Sequence, residues 1–442
     1  MQSSDRRPAP LAAFARHEDG AITAFAIFTV VCLCMMLGIA VDAGNAYRQR
    51  TQLQVATDVA AHAAIYIRET STQSDATSKA VAIAHDTMAV EDDLDPTLTS
   101  ADVTFGTWDE TTRTFTANSA SRSAVRVSAG RTEERENPVS TFMLRLAGVD
   151  IWNVSASTVA ETYRPTCLRE GFVAEGVVDI QSNNTFVNGF CMHSNTYVSL
   201  NQNNTFEAGT IVSMPHLDDL DVPNSGMEKN DGLEEALRES FYNIRILSRV
   251  GGIIDGIANL SADYLPDYIT NTTVVTLTSK SPTVTDFVAG KMYRLACSGN
   301  KVTISTNGAA TTVSKVVIMA SCPVTFAQGV ALEDVVFTNT STDAKSFNAP
   351  SGVRLGKDDG CAAGGGAQLV TMGGVNFAAA MQMYGSQILA LGTVEFAANA
   401  DGIEGASIVS RDGIDGTSNM TMGYCGSGME DNFEADYFRI VQ

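Results

Sequence analysis

The chain has 442 residues, 50 of them acidic and 29 basic, for a net charge of −21. A field of that sign repels nucleic acid and anionic headgroups, so no nucleic-acid partner is expected. With 44% hydrophobic and only 18% charged residues, the composition is that of a folded, core-forming protein and not of a disordered one; the length suits about two or three domains.

Residues 1–20 read as a short polar tail and residues 21–41 as a charge-free apolar run. At about 1.5 Å per residue that run covers roughly the 30 Å hydrocarbon thickness of a bilayer. It is longer than a signal-peptide core of about 7–15 residues. Residues 38–43 only loosely mimic a cleavage site, so an uncleaved anchor is expected. Arg6, Arg7 and Arg16 precede the run while Arg48 and Arg50 follow it, which leans towards a cytoplasmic N-terminus. One lipid-spanning segment then places everything after Asp42 on one side of a membrane.

From Asp42 to Arg68 the pattern stays helical, with Ala56, Ala60 and Ala64 on one face. Small residues at this spacing admit a close neighbour, either the chain's own domain or the helix of another single-span protein. A second helix is predicted from Ala76 to Met88. Strands follow at Val103–Phe105, Arg113–Thr116, Ala124–Ser128 and Val154–Ala160, with a short helix at Thr141–Leu146. Residues 42–163 thus form a juxtamembrane helix and a small α+β module.

Gly20, the apolar run, Asp42 and Tyr47, then Leu53-Gln54-Val55-Ala56-Thr57-Asp58-Val59-Ala60-Ala61 together resemble the TadE/TadG-like family. These are single-span proteins of Flp-type (tight-adherence) pilus assembly in bacteria. The resemblance implies a single-pass protein of the inner membrane with its N-terminus cytoplasmic and its bulk periplasmic. It also implies inner-membrane and pilus-assembly proteins as partners, with Gly20, Asp42, Tyr47, Leu53, Gln54, Ala56, Asp58, Ala60 and Ala61 as the motif or docking residues. Two departures stand out. Phe25 occupies the place, counted from Gly20, where processed pilin-like members carry Glu. The metal-binding Asp-x-Ser-x-Ser of von Willebrand A-like domains is missing.

Residues 167–442 are rich in Val, Ile, Thr, Asn and Gly, which suits strands and tight turns. Of eight cysteines, Cys32 and Cys34 lie in the apolar run, leaving Cys167, Cys191, Cys297, Cys322, Cys361 and Cys425. An even set beyond a membrane reads as disulfides, with nearest-neighbour pairing the simplest choice; C-x2-C spacing for zinc is missing. Val178–Gly189 is echoed by Val198–Gly209, Gly385-Ser-Gln-Ile-Leu by Gly405-Ala-Ser-Ile-Val, and Val375-Asn-Phe-Ala by Val394-Glu-Phe-Ala, with Val324-Thr-Phe-Ala of the same form. A period near 20 residues with short strands predicts a parallel β-helix, or solenoid; a β-sandwich is the alternative. One helical insertion is expected at about 231–260. Asp231 and Glu234 would form its capping box, Leu233, Leu237, Phe241, Ile244 and Leu247 its apolar face, and Gly251-Gly252 a break.

Candidate chemistry is sparse. Asp401, Glu404, Asp412 and Asp415 could act on a glycoside or hold calcium, but Asp-Gly is also turn chemistry, so neither is expected. The five histidines are scattered. Asn183-Asn184-Thr185 and Asn203-Asn204-Thr205 match a glycosylation string, yet their repeat phase favours an asparagine ladder at the corners. The sequence therefore reads as a non-enzymatic, membrane-anchored scaffold without a cofactor or metal, with a surface adhesin or a carbohydrate-active β-helix enzyme as alternatives.

Overall fold

The computed structural model describes residues 19–87, 97–297 and 301–442, without the side chains of 19–21 and 399–401. Most of the tail expected over 1–20, the surroundings of Gly20 and the side chain of Asp401 therefore lie outside the described residues. The chain forms two compact units, one of residues 1–163 with 436–442 and one of 164–435.

The first unit is built on a helix from Asp19 to Arg68, about 75 Å long at 1.5 Å per residue. Among the described residues it is the single helix long and apolar enough to span a membrane. The apolar side chains of its first half face outwards, Ile22 78% and Phe25 70% exposed. Its second half is a core element. Leu53, Ala56, Ala60, Ala61 and Ala64 are buried, packed with Ala76, Ala80 and Ala84 of the helix Gln73–Thr87 and with the sheet. The small side chains let the backbones approach closely, but the neighbour is the chain's own module. Of the two neighbours this face could admit, it is the chain's own module that packs on it.

That module contains β1 (Val103–Asp109), β2 (Thr114–Ala117), β3 (Ala124–Arg131), β4 (Val139–Ser140), β5 (Ile151–Trp152) and β6 (Val154–Tyr163). β2, β1, β3 and β6 form an antiparallel sheet in that order, and β4 and β5 a separate ribbon. The helix expected at Thr141–Leu146 is a 3-10 turn over Leu144–Ala147 at the ribbon's tip. The terminal strand Tyr437–Ile440 pairs with β6, Tyr437 opposite Tyr163. The last residues thus complete the first unit and do not belong to a domain running from 167 to 442. They cover what would be an open edge of β6, and Phe438 packs on Tyr66 with ring centroids 5.8 Å apart.

In the second unit, short strands join a 21-stranded sheet whose ladders are all parallel, which is a β-solenoid and rules out the sandwich. The repeat seen in the sequence is the register: Val198 sits on Val178, Thr205 on Thr185, Phe377 beside Phe396 and Ser386 beside Ala406. Inward residues form one column of core, including Phe172, Phe186, Phe206, Phe326, Phe347 and Phe377; Phe186 and Phe206 stack at 4.8 Å. At the corners, Asn183, Asn203 and Asn419 take left-handed backbone. The Asn204 side chain accepts from the Asn184 amide, and the Asn230 side chain from the Asn204 amide, each at 2.8 Å.

Winding begins in the middle. The strand Gly171–Ala174 lies between Cys191–Ser194 on one side and the end of Val394–Ser410 on the other. From there the chain winds to one end at Leu237–Glu239 and then crosses to the opposite end at Asn271–Leu277. It winds back until Thr421–Gly423 pairs with Thr185–Val187. The crossing contains the helix Arg245–Ala258. Its Ile246, Leu247, Val250, Ile253, Ile254 and Ile257 cover the outer face of one ladder at Val173, Val317, Val336, Val370, Leu389 and Val409. Those strands are buried on both faces, which is why they read as unbroken apolar runs.

This corrects the helix expected over 231–260. Gly232, not Asp231, precedes a single turn at Leu233–Ala236, and no capping box forms. Leu237 is spent on the ladder beside Val212. The helix starts at Arg245 and passes through Gly251-Gly252 unbroken. Disulfides join Cys167 to Cys191, Cys297 to Cys322 and Cys361 to Cys425.

Candidate functional site

Asp42 follows the apolar half of the long helix and reaches a loop one hundred residues further on. Its carboxylate accepts the backbone amides of Phe142, Met143 and Leu144 at 2.7, 3.0 and 2.7 Å. Gly38 lies one turn earlier, where a Cβ would come 2.5 Å from that of Met143. A small residue and an acceptor one turn apart therefore fix the β4–β5 tip against the helix. Further along, the Gln54 amide donates to Asp58 at 2.8 Å and to Thr158 at 2.9 Å, and the Thr158 hydroxyl donates to Asp58 at 2.6 Å. This polar knot fastens the helix to β6. Leu53, Ala56, Ala60 and Ala61 are core, while Tyr47 is 75% exposed. Asp42, Leu53, Gln54, Ala56, Asp58, Ala60 and Ala61 thus hold the helix to its own module, while Tyr47 faces outwards.

The three described solenoid acids, Glu404, Asp412 and Asp415, do not converge. Glu404 lies beside Tyr384 and Gly423, Asp412 is held by Arg411 at 2.9 Å, and Asp415 is on another face next to Glu395 and Asp179. There the register builds a polar strip that the sequence reading missed: Asn376, Glu395, Asp415, Asp179 and Ser199 on successive strands, with Asp221 beyond. Burial, with Asp415 and Asp221 nearby, pushes the Asp179 carboxyl above its ordinary value, and burial with Glu395 does the same to Asp415. Among the described residues, Cys361, Glu404 and Cys425 bring their ligand atoms within 4.8 Å of one another. Both sulfurs are used in a disulfide, so they cannot act as thiolate ligands.

One histidine was also missed. His193 Nδ1 lies 2.8 Å from Ser213 Oγ and Nε2 lies 2.8 Å from Asn195 Oδ1. Ser213 is one repeat later and stacks on His193 in register, a signal that the period could have given. His193 and Ser213 are buried, and burial lowers the pKa of the imidazole. Asn195 in turn donates to the Tyr242 carbonyl at 2.7 Å and accepts its amide. The cluster pins the chain where it leaves the solenoid for the crossing helix. Above it, Tyr197, Pro215, His216, Asp219, Asp221 and Phe241 line an open groove of about 710 Å³.

Comparison with protein families agrees with this division. Residues 20–82 match a Flp pilus-assembly TadE/G-like model and residues 56–160 a Tad-like Flp pilus-assembly model. Residues 171–426 match a domain of unknown function, DUF7867. No curated protein and no solved structure matches the chain. The matches follow the two units seen in the structure: the chain belongs to the DUF7867 family through its solenoid, and its N-terminal region is similar to the TadE/G-like proteins of Flp pilus assembly.

Proposed function

We propose that this single-pass membrane protein is a non-catalytic scaffold of a Flp-type pilus-assembly machine. Its N-terminus lies in the cytoplasm, its span in the inner membrane and both folded units in the periplasm. The observation that carries the reading is the Tad match laid over a helix whose apolar half, up to residue 41, remains exposed. Three disulfides suit an oxidising compartment outside the cytoplasm. The dispersed acids and the shut His193 cluster support a part without turnover. With Ala56, Ala60 and Ala61 committed to the module's own core, contact with inner-membrane and pilus-assembly partners falls to the exposed side of the span.

The test is complementation of a deletion strain, with pili counted by electron microscopy. The full chain is expected to restore pili, and a secreted form lacking residues 21–41 is expected to fail. Full rescue by the unanchored form, or normal piliation in the deletion strain, overturns the reading.

A further inference from the structure

The tip of the β4–β5 ribbon, Thr141–Asp150, is apolar and bare. Leu146 is 86% and Phe142 65% exposed, and Met143 and Val149 also face outwards. Isolated surface leucines need no explanation, but a loop presenting this many apolar groups does. The loop is also held in one place, by Asp42 and by the close approach at Gly38.

That place is beside the membrane-spanning half of the helix. Leu144 and Leu146 form one wall of an apolar groove of about 440 Å³, and Val30, Cys34 and Ile39 form the other. Val30 lies eleven residues before the end of the span at 41. At about 1.5 Å per residue the groove therefore reaches roughly halfway through the 30 Å hydrocarbon layer. If Val30–Ile39 sits in lipid, the loop that shares a groove with it sits there too.

Backbone can enter lipid only when its polar groups are satisfied within the protein, and seven amides of this loop meet that demand. The amides of Phe142, Met143 and Leu144 donate to Asp42. Those of Thr141, Leu146, Gly148 and Val149 donate to the carbonyls of Asp150, Met143, Arg145 and Leu144. The loop's two charges, Arg145 and the terminal Asp150, pair with each other at 3.3 Å while remaining largely exposed. Trp152 and Tyr47 flank the next, more polar hollow along the helix, as aromatic residues do at the level of the headgroups.

We propose that Thr141–Asp150 is a second membrane insertion, a re-entrant wedge in the leaflet on the Asp42 side of the span. The groove between wedge and span takes the acyl chain of a phospholipid. The wedge sets the depth of the helix and forbids it to rotate freely against the module above. The inference rests on residues 21–41 spanning a bilayer.

The test uses the full chain with Cys32→Ser and Cys34→Ser, reconstituted in phosphatidylethanolamine–phosphatidylglycerol vesicles. The environment-sensitive dye NBD is attached at Leu146→Cys or, as the control in the span, at Ile27→Cys. Leu146 is exposed, so its replacement does not threaten folding. Both dyes are expected to emit at shorter wavelength than in water, to be quenched by doxyl groups on the lipid chains and to be shielded from aqueous iodide. A lipid-quenched dye at 27 with an iodide-quenched dye at 146 overturns the wedge and leaves the anchor standing. Iodide quenching at both overturns the anchor itself. A dye at 146 shielded from both quenchers, with disulfide crosslinking of Leu146→Cys between copies, overturns the lipid assignment in favour of a second copy of this chain.

Discussion

Asp42 and Asn204 show how much single side chains do in this molecule. Asp42 takes three amides of a loop one hundred residues away. Hydrogen bonds to a charged group are worth about 1.5–3 kcal/mol each. Asp42→Ala should therefore raise hydrogen exchange at Phe142–Leu144 by at least about tenfold while the sheet keeps its protection; unchanged exchange would remove Asp42 as the fastening. In the solenoid, Asn204 is 1% exposed and sits in the middle of the corner ladder. Asn204→Ala leaves the Asn184 amide without its acceptor and should cost about 1–3 kcal/mol, read as a lower urea midpoint. A change within experimental error would mean the ladder is ornamental. The two differ in legibility. The Asn204 role shows in a 20-residue echo, because a solenoid stacks like on like. The Asp42 role does not, because its partners are backbone amides of a distant loop whose own residues are apolar.

The crossing helix Arg245–Ala258 is the element on which the solenoid's outer face depends. Its buried positions recur at helical spacing from Ile246 to Ile257. Ile257 is fully buried, so Ile257→Ala should lose about 2–4 kcal/mol. Gly251 and Gly252 offer a contrast, since a Cβ at either meets nothing. Alanine there should raise stability by about 0.5–1 kcal/mol each, because it restricts the unfolded chain without cost in the folded one. At Gly256 the same change runs a Cβ into the Tyr264 ring and should destabilise. Thermal midpoints of the three variants decide the matter, and equal shifts in all three would sink the argument. Most elements of the solenoid are legible because their inward residues repeat in phase. The start of this helix is not. Leu233 and Leu237 fall at helical spacing, yet Leu237 pairs in a ladder beside Val212, so tertiary pairing overrides a local pattern. The terminal strand was hidden for a related reason: nothing within Tyr437–Ile440 says that its partner is β6.

The two units of the molecule should answer acid in opposite ways. In the solenoid, burial raises the Glu170 carboxyl, and burial with neighbouring carboxylates raises Asp179, Asp415 and Asp431. Stability tied to a raised carboxyl is present below its unfolded value of about 4 and lost as pH rises through the folded one. The solenoid should therefore gain stability on acidification from neutrality towards about pH 4, and Asp179→Asn with Asp415→Asn should flatten that slope. In the first unit, burial works against the Asp102 charge, but hydrogen bonds from Arg135 and Thr99 hold its carboxyl below the ordinary value. Its contribution is present above the unfolded value and lost as pH falls through the folded one. Exchange protection followed by peptide across a pH series separates the two responses, and parallel slopes would sink the claim. The chain path allows a sharper test of independence. Arg164 and Glu434 form an ion pair where the chain enters and leaves the inserted unit, while Tyr163 and Tyr437 are opposite each other in the first unit's sheet. The whole of 164–435 is thus an insertion between two adjacent strands. Its removal leaves a gap that a hairpin turn can bridge. Joining Tyr163 directly to its partner Tyr437 through Asn-Gly, which favours the tight two-residue type I′ turn, should leave a first unit that unfolds cooperatively in detergent or vesicles. Its β6–terminal-strand pairing should remain protected from exchange. Loss of the cooperative transition on deletion would show that the first unit needs the solenoid to fold, and that the insertion is part of one folding unit.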